Sequence, residues 1–296
     1  MTETLGLALL LAAASALALN WGFFVQHEQA GQAPALTLRR PLHSLWLLFS
    51  RPRWLAGFVV GLGGWGLYAL ALAFGPLSLV QATSAGGIGI LALLVARLAH
   101  VRLRRREWIG VWMSMAGLAL LGVSLFGQGG AAEPHGSHPA ASGAVAWIAA
   151  SGVLTALFAG PLRRVFAPGA SLGTGAGLMY AAGDVSTKAL MAGGSRLVFV
   201  PALLAAHGLG FVLLQAGFQR GGALSTAGVA TLLTNAAPIA AGMVVFGEPM
   251  PSRAFEVVRV AAFVTVVAGA VLLTRGQPAP QDERERIAAP GQVQPA

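Results

Sequence analysis

The chain has 296 residues, of which 56% are hydrophobic and only 10% charged, and its mean hydropathy is +0.71. An ordinary soluble domain carries about 25% charged residues, so this composition argues for a lipid solvent. There is no cysteine, which excludes disulfides, thiolate catalysis and cysteine-ligated metals.

The net charge of +9 would suit nucleic acid, but its placement argues against that partner. A bilayer-crossing helix needs about 20 mostly apolar residues. Nine segments qualify: 5–25, 54–74, 78–98, 108–127, 143–162, 172–192, 197–217, 223–246 and 255–274. The loops after the first, third, fifth, seventh and ninth hold fifteen of the 19 Lys+Arg, including the run Arg102 to Arg106. The opposite loops hold Arg196 and Arg253. By the positive-inside rule the arginine face is cytoplasmic, the N-terminus outside and the C-terminus inside.

In chain order, the first segment is expected to be a retained helix. Its leading residues carry Glu3 and no basic residue, whereas a signal peptide wants positive charge there. Residues 26–53 form the longest cytoplasmic loop, with apolar Leu42 to Phe49 expected in the interface. The second segment holds the small-residue pair Gly57 and Gly61, and the sixth holds Gly173 and Gly177. Such spacing allows close helix approach in lipid. Residues 128–142 make a polar external loop in which His135 and His138 are expected to be solvated. The tail from Gly276 is rich in Pro, Gln and charge and reads as disordered.

The chain also repeats itself. The segment from Ala73 through Ala116-Gly117 in spans three and four is echoed from Ala216 through Ala268-Gly269 in spans eight and nine. Trp21-Gly22 near the end of the first span matches Ala182-Gly183 in the sixth. Four spans, one linking span and four more place the second set upside down. The expected organisation is therefore a first repeat at 1–127, an external loop and linking span at 128–171, a second repeat at 172–275 and a tail at 276–296. Inverted repeats build many secondary transporters, with a site near midplane.

These residues resemble the EamA-like branch of the drug/metabolite transporter superfamily. The similarity rests on Asn20-Trp21-Gly22-Phe23-Phe24, on the stretch from Gln215 to Leu224, on Thr234 through Pro238, and on Gly247-Glu248-Pro249. It covers about residues 5–275. Two features depart from the family pattern. His100-Val101 stands where the family has Gly-Glu, and nine spans stand where many relatives have ten. In its span count the layout is also similar to the NIPA-like magnesium transporters. The resemblance implies alternating-access movement of a small molecule without ATP.

Ionisable residues within membrane spans are costly and each is a functional candidate. Asp184 and Lys188 are spaced i,i+4 in the sixth span, which favours contact on one helix face. His207 lies mid-span in the seventh, at nearly the depth of Asp184, where it could shuttle protons. Asn20, Trp21, Gln81, Tyr180, Gln215 and Asn235 are further candidates for binding substrate; each could equally serve contacts between helices. Pro238 should kink the eighth span. Glu248 is expected to cap or pair with Arg253, and Glu256 to pair with Arg259.

No phosphate-binding loop of an ATP-driven pump is present, and neither catalysis nor a cofactor is expected. The leading expectation is a secondary transporter or exporter of a small organic metabolite or drug-like amphiphile, with proton coupling as a hypothesis. Its partners would be that substrate, the lipid bilayer and, as an open option, a second copy in a homodimer. Mg²⁺ transport and a non-transporting scaffold are the alternatives. One deep carboxylate beside a lysine is poor provision for Mg²⁺. One Lys beside 18 Arg, with heavy Ala and Gly use, suggests a bacterial plasma membrane.

Overall fold

The computed structural model describes residues 2–32, 46–74, 80, 83–84, 86–100, 102–126, 141–191, 197–247 and 253–274. These residues contain no strand. They contain nine α-helices of twelve residues or more: α1 Thr2–Ala30, α2 Pro52–Phe74, α3 Gly87–Leu98, α4 Arg105–Phe126, α5 Ala141–Ala159, α6 Pro168–Met191, α7 Phe199–Arg220, α8 Val229–Val245 and α9 Arg253–Thr274. A 3-10 turn at Pro161–Arg164 follows α5, and a π-helical turn at Leu224–Gly228 precedes α8.

Local chemistry sets the ends. Pro52 and Pro168 open α2 and α6, where a missing N–H costs nothing and φ is already helical. Amid the arginine run, the Glu107 carboxylate accepts the Arg104 backbone N–H at 2.6 Å. That bond caps the first turn of α4 and sets a negative charge at its positive dipole end. Gly31, Gly160, Gly221 and Gly247 follow the ends of α1, α5, α7 and α8.

Six stretches are long and apolar enough to cross a membrane: Gly6–Ala30, Arg105–Ser124, Ala141–Arg164, Phe199–Arg220, Leu224–Val245 and Ala254–Leu273. The protein is thus a multi-pass, all-helical membrane protein by length and composition. The other three expected spans fall outside this set. α3 is continuous only over twelve residues, and residues 75–79, 81, 82 and 85 lie outside the described ones. α2 runs unbroken for 23 residues, but three of its side chains, at 69, 72 and 73, are undescribed. α6 is diluted by glycines, Asp184 and Lys188. It compensates by enclosure, since every residue from 169 to 177 is buried among its neighbours.

The most extensive pairings are α1 on α2, α4 on α9 and α6 on α7, with α5 and α8 also laid against α6. Glycines mark these crossings. A Cβ at Gly22 would meet the Gly57 carbonyl on α2 at 2.7 Å, and one at Gly177 would meet the Ala230 carbonyl on α8 at 2.7 Å. Both sequence-read glycine pairs therefore sit at helix contacts, where small residues let backbones touch.

The α4–α9 pair is reciprocal. Gly117 lies against the Val266 N–H and the Ala262 carbonyl, while Gly269 lies against the Ser114 N–H and the Gly110 carbonyl. The two glycines come from the matched Ala-Gly motifs. As numbers rise along α4 they fall along α9, so the helices are antiparallel. The left-handed residues match too. His100, at φ 54°, follows α3, and Gly247, at φ 63°, follows α8.

Candidate functional site

Asp184 and His207 face each other across the α6–α7 hairpin. Asp184 Oδ1 lies 3.7 Å from His207 Nε2, and both side chains are little more than 40% exposed. Asp184 lies seven residues from the end of α6 and His207 eight from the start of α7, about 10–12 Å along each helix. A glycine makes the encounter possible. A Cβ at Gly183 would lie 2.1 Å from the His207 ring, so only glycine lets the imidazole lie against the α6 backbone.

The histidine is oriented from behind. Its Nδ1 lies 3.1 Å from the Leu203 carbonyl, which only accepts, so Nδ1 carries a hydrogen. In the neutral ring Nε2 is then a lone pair turned toward a carboxylate. Two acceptors face each other unless a proton resides on one of them. A proton on Nε2 would make the pair an imidazolium facing a carboxylate.

Four of the accessible positions of α6 form a polar stripe. Tyr180, Asp184, Thr187 and Lys188 lie on one face of an otherwise mostly buried helix. The Tyr180 ring tilts against His207 with centroids 5.9 Å apart, and Gly210 leaves it room, since a Cβ there would be 3.0 Å from that ring. Lys188 holds its ammonium 4.6 Å above the Phe246 ring at the end of α8. Asp184 thus has His207 as an ionic partner across the hairpin.

The other candidates lie elsewhere. Gln215 is fully buried two turns further along α7. Its Oε1 accepts Trp54 Nε1 at 3.1 Å and its Nε2 donates to Gln26 Oε1 at 2.7 Å. Nearby, Gln219 Nε2 donates to the Ala30 carbonyl at 3.0 Å and His27 Nε2 donates to the Gly221 carbonyl at 3.1 Å. Together these bonds latch the carboxyl end of α1 to that of α7. Asn20 donates to the Ala16 carbonyl at 2.8 Å and abuts Gly87 on α3. Asn235 donates to the Thr231 carbonyl at 2.8 Å within α8. Trp21 is 41% exposed on the outer surface of the α1–α2 pair. Gln81, Glu248, His135 and His138 lie outside the described residues.

The expected Glu256–Arg259 pair does not form. Arg259 is buried and donates from Nε to Ser124 Oγ at 3.2 Å and from Nη2 to the Ser124 carbonyl at 3.3 Å. Glu256 is exposed: at i,i+3 the two side chains diverge, Arg259 inward to α4 and Glu256 outward.

The latch residues Gln26 and His27 escape the sequence reading because it ends the first span at residue 25, and Gln219 because it ends the seventh at 217. A signal was available in Gln26-His27-Glu28-Gln29, a polar run that a longer helix buries on one side. The π-turn was also missed. There Thr226 sits among glycines of α6 and α7, with Gly169 and Gly217 within 3 Å of its side chain as their missing Cβ atoms would lie.

Burial is graded along the bundle. Residues 213–219 of α7, 221–230 around the π-turn and 169–177 of α6 are all buried, whereas the other halves of the same helices are partly accessible. The Asp184–His207 pair lies in the accessible half and the latch in the packed half. Among the described residues no group of three His, Asp or Glu side chains could hold a metal ion. Comparison with known proteins finds no matching family model, no matching curated protein and no matching solved structure.

Proposed function

We propose that this protein is a proton-coupled secondary transporter of a small organic metabolite or drug-like amphiphile in the bacterial plasma membrane. The observation that carries the reading is the Asp184–His207 pair, two half-accessible ionisable side chains that face each other between α6 and the apolar α7. Such groups are expensive in lipid and mark ion and substrate paths. The Tyr180 ring beside them offers an aromatic wall for an organic substrate.

Nine crossings with inverted halves complete the proposal. The reciprocal glycine contacts of α4 and α9 support it, because a two-fold relating two antiparallel helices in this way runs perpendicular to them and so lies in the membrane plane. The left-handed residues ending α3 and α8 support it too. The EamA-like resemblance fits the same scheme. In this scheme the described state is sealed at the arginine face by the α1–α7 latch and accessible from the other face. Protonating the Asp184–His207 pair brings its net charge to zero, and opening the latch exposes the site inward.

The test is flux of candidate amphiphiles into proteoliposomes under an imposed pH step. Flux driven by the step, abolished in Asp184→Asn while downhill exchange persists, is the expected result. Flux that ignores both the step and the substitution overturns the coupling.

A further inference from the structure

A groove of about 390 Å³ lies on the outer surface of the α1–α2 pair, away from the Asp184 site. Its apolar end is formed by Trp21, Phe24, Val25 and Val60, and its polar end by Glu28 and Arg53. Gly57 helps deepen it by bringing α2 against Val25.

The two charges are opposite, share one groove and do not neutralise each other. No Glu28–Arg53 ion pair forms within 4.0 Å, and among the described residues the one basic ring near Glu28 is that of His27, whose Nδ1 lies at the 4.0 Å limit and is an ionic partner only when protonated. The groove therefore offers a separated acceptor and donor, with an apolar wall leading from them along α1 and α2.

Depth selects the occupant. α1 has 29 residues, about 43 Å of helix, against a hydrocarbon core of about 30 Å. α1 therefore overreaches the core, and Glu28, Gln29, Arg51 and Arg53 mark its carboxyl end and the start of α2 as the part at headgroup level. Trp21, 41% exposed just below them, occupies the depth where amphipathic rings collect.

We infer that this groove binds a zwitterionic phospholipid with a primary-ammonium headgroup, phosphatidylethanolamine. Its phosphate meets the Arg53 guanidinium, its ammonium donates to the Glu28 carboxylate, and an acyl chain lies along Val25 and Val60. A choline headgroup has no N–H to donate to Glu28, and a glycerol headgroup leaves that carboxylate beside net negative charge. Selectivity between headgroups therefore rests on Glu28, and retention of the phosphate on Arg53.

The test is native mass spectrometry of the detergent-purified protein with equimolar phosphatidylethanolamine, phosphatidylcholine and phosphatidylglycerol. The wild type is expected to retain one ethanolamine lipid at several-fold higher occupancy than either competitor. Glu28→Gln should erase that preference, Arg53→Gln should lower occupancy of all three, and Arg53→Lys should keep the wild-type order. Each variant is checked for an unchanged elution volume. Equal occupancy of the three lipids by the wild type, or a preference that survives Glu28→Gln, overturns the assignment. Neither result bears on proton-driven flux.

Discussion

Asp184 and His207 meet because residue 183 has no side chain. Gly183→Ala would place a methyl group inside the imidazole envelope, and a backbone-fixed Cβ cannot move away, so the ring must. The expected outcome is a folded protein whose pH-driven flux falls at least tenfold while downhill exchange remains, as for Asp184→Asn. Proteoliposome flux measured at several external pH values checks it. A flux profile identical to the wild type would mean that the ring position does not matter. The equal depth of Asp184 and His207 was legible from residue counts along a hairpin. Their mutual orientation was not, because it depends on that one missing methyl. Lys188 shows another limit: its ammonium lies over the Phe246 ring, 58 positions away in the chain, a contact that no local spacing announces.

The helices themselves were legible as apolar runs, and their ends much less so. Hydropathy falls at residue 25, yet α1 continues to Ala30 because Gln26 and His27 find partners on α7 and the turn after it. Only tertiary contacts make those polar residues compatible with a buried helix end. The same contacts set a prediction at this scale. Gln215→Leu would strand Trp54 Nε1 and Gln26 Oε1 in a buried position, and an unsatisfied buried polar group costs about 1–3 kcal/mol. The unfolding midpoint in detergent should fall measurably for Gln215→Leu, and Gln32→Leu, at an exposed position beyond the helix, should leave it unchanged. Equal midpoints would remove the latch as a stabilising device. The glycine pairs in α2 and α6 were visible in the sequence, but a glycine-rich chain offers many such pairs by chance. What distinguishes these is the backbone carbonyl or helix lying opposite.

For the molecule as a whole, the inverted arrangement predicts where each loop emerges. The natural absence of cysteine makes single-cysteine labelling unambiguous. Ser142→Cys, at the start of α5, should react with a membrane-impermeant maleimide in intact cells, whereas Arg102→Cys, before α4, should react only after lysis. Labelling of both from the same side would remove the flipped halves. The matched Ala-Gly motifs were legible in the sequence. The reciprocity of their contacts was not, because sequence similarity says nothing about which copies touch.

The π-turn at Leu224–Gly228 holds slack. A helical turn closed by i→i+5 bonds contains a surplus residue relative to an α-helix. Tightening it to α geometry would rotate everything beyond Val229 by about 100°, carrying Thr234 and Asn235 to a new face while the anchored carboxyl end of α7 stayed still. A helix with a spare residue at its root can turn like a key in a fixed lock, without any neighbour having to unfold.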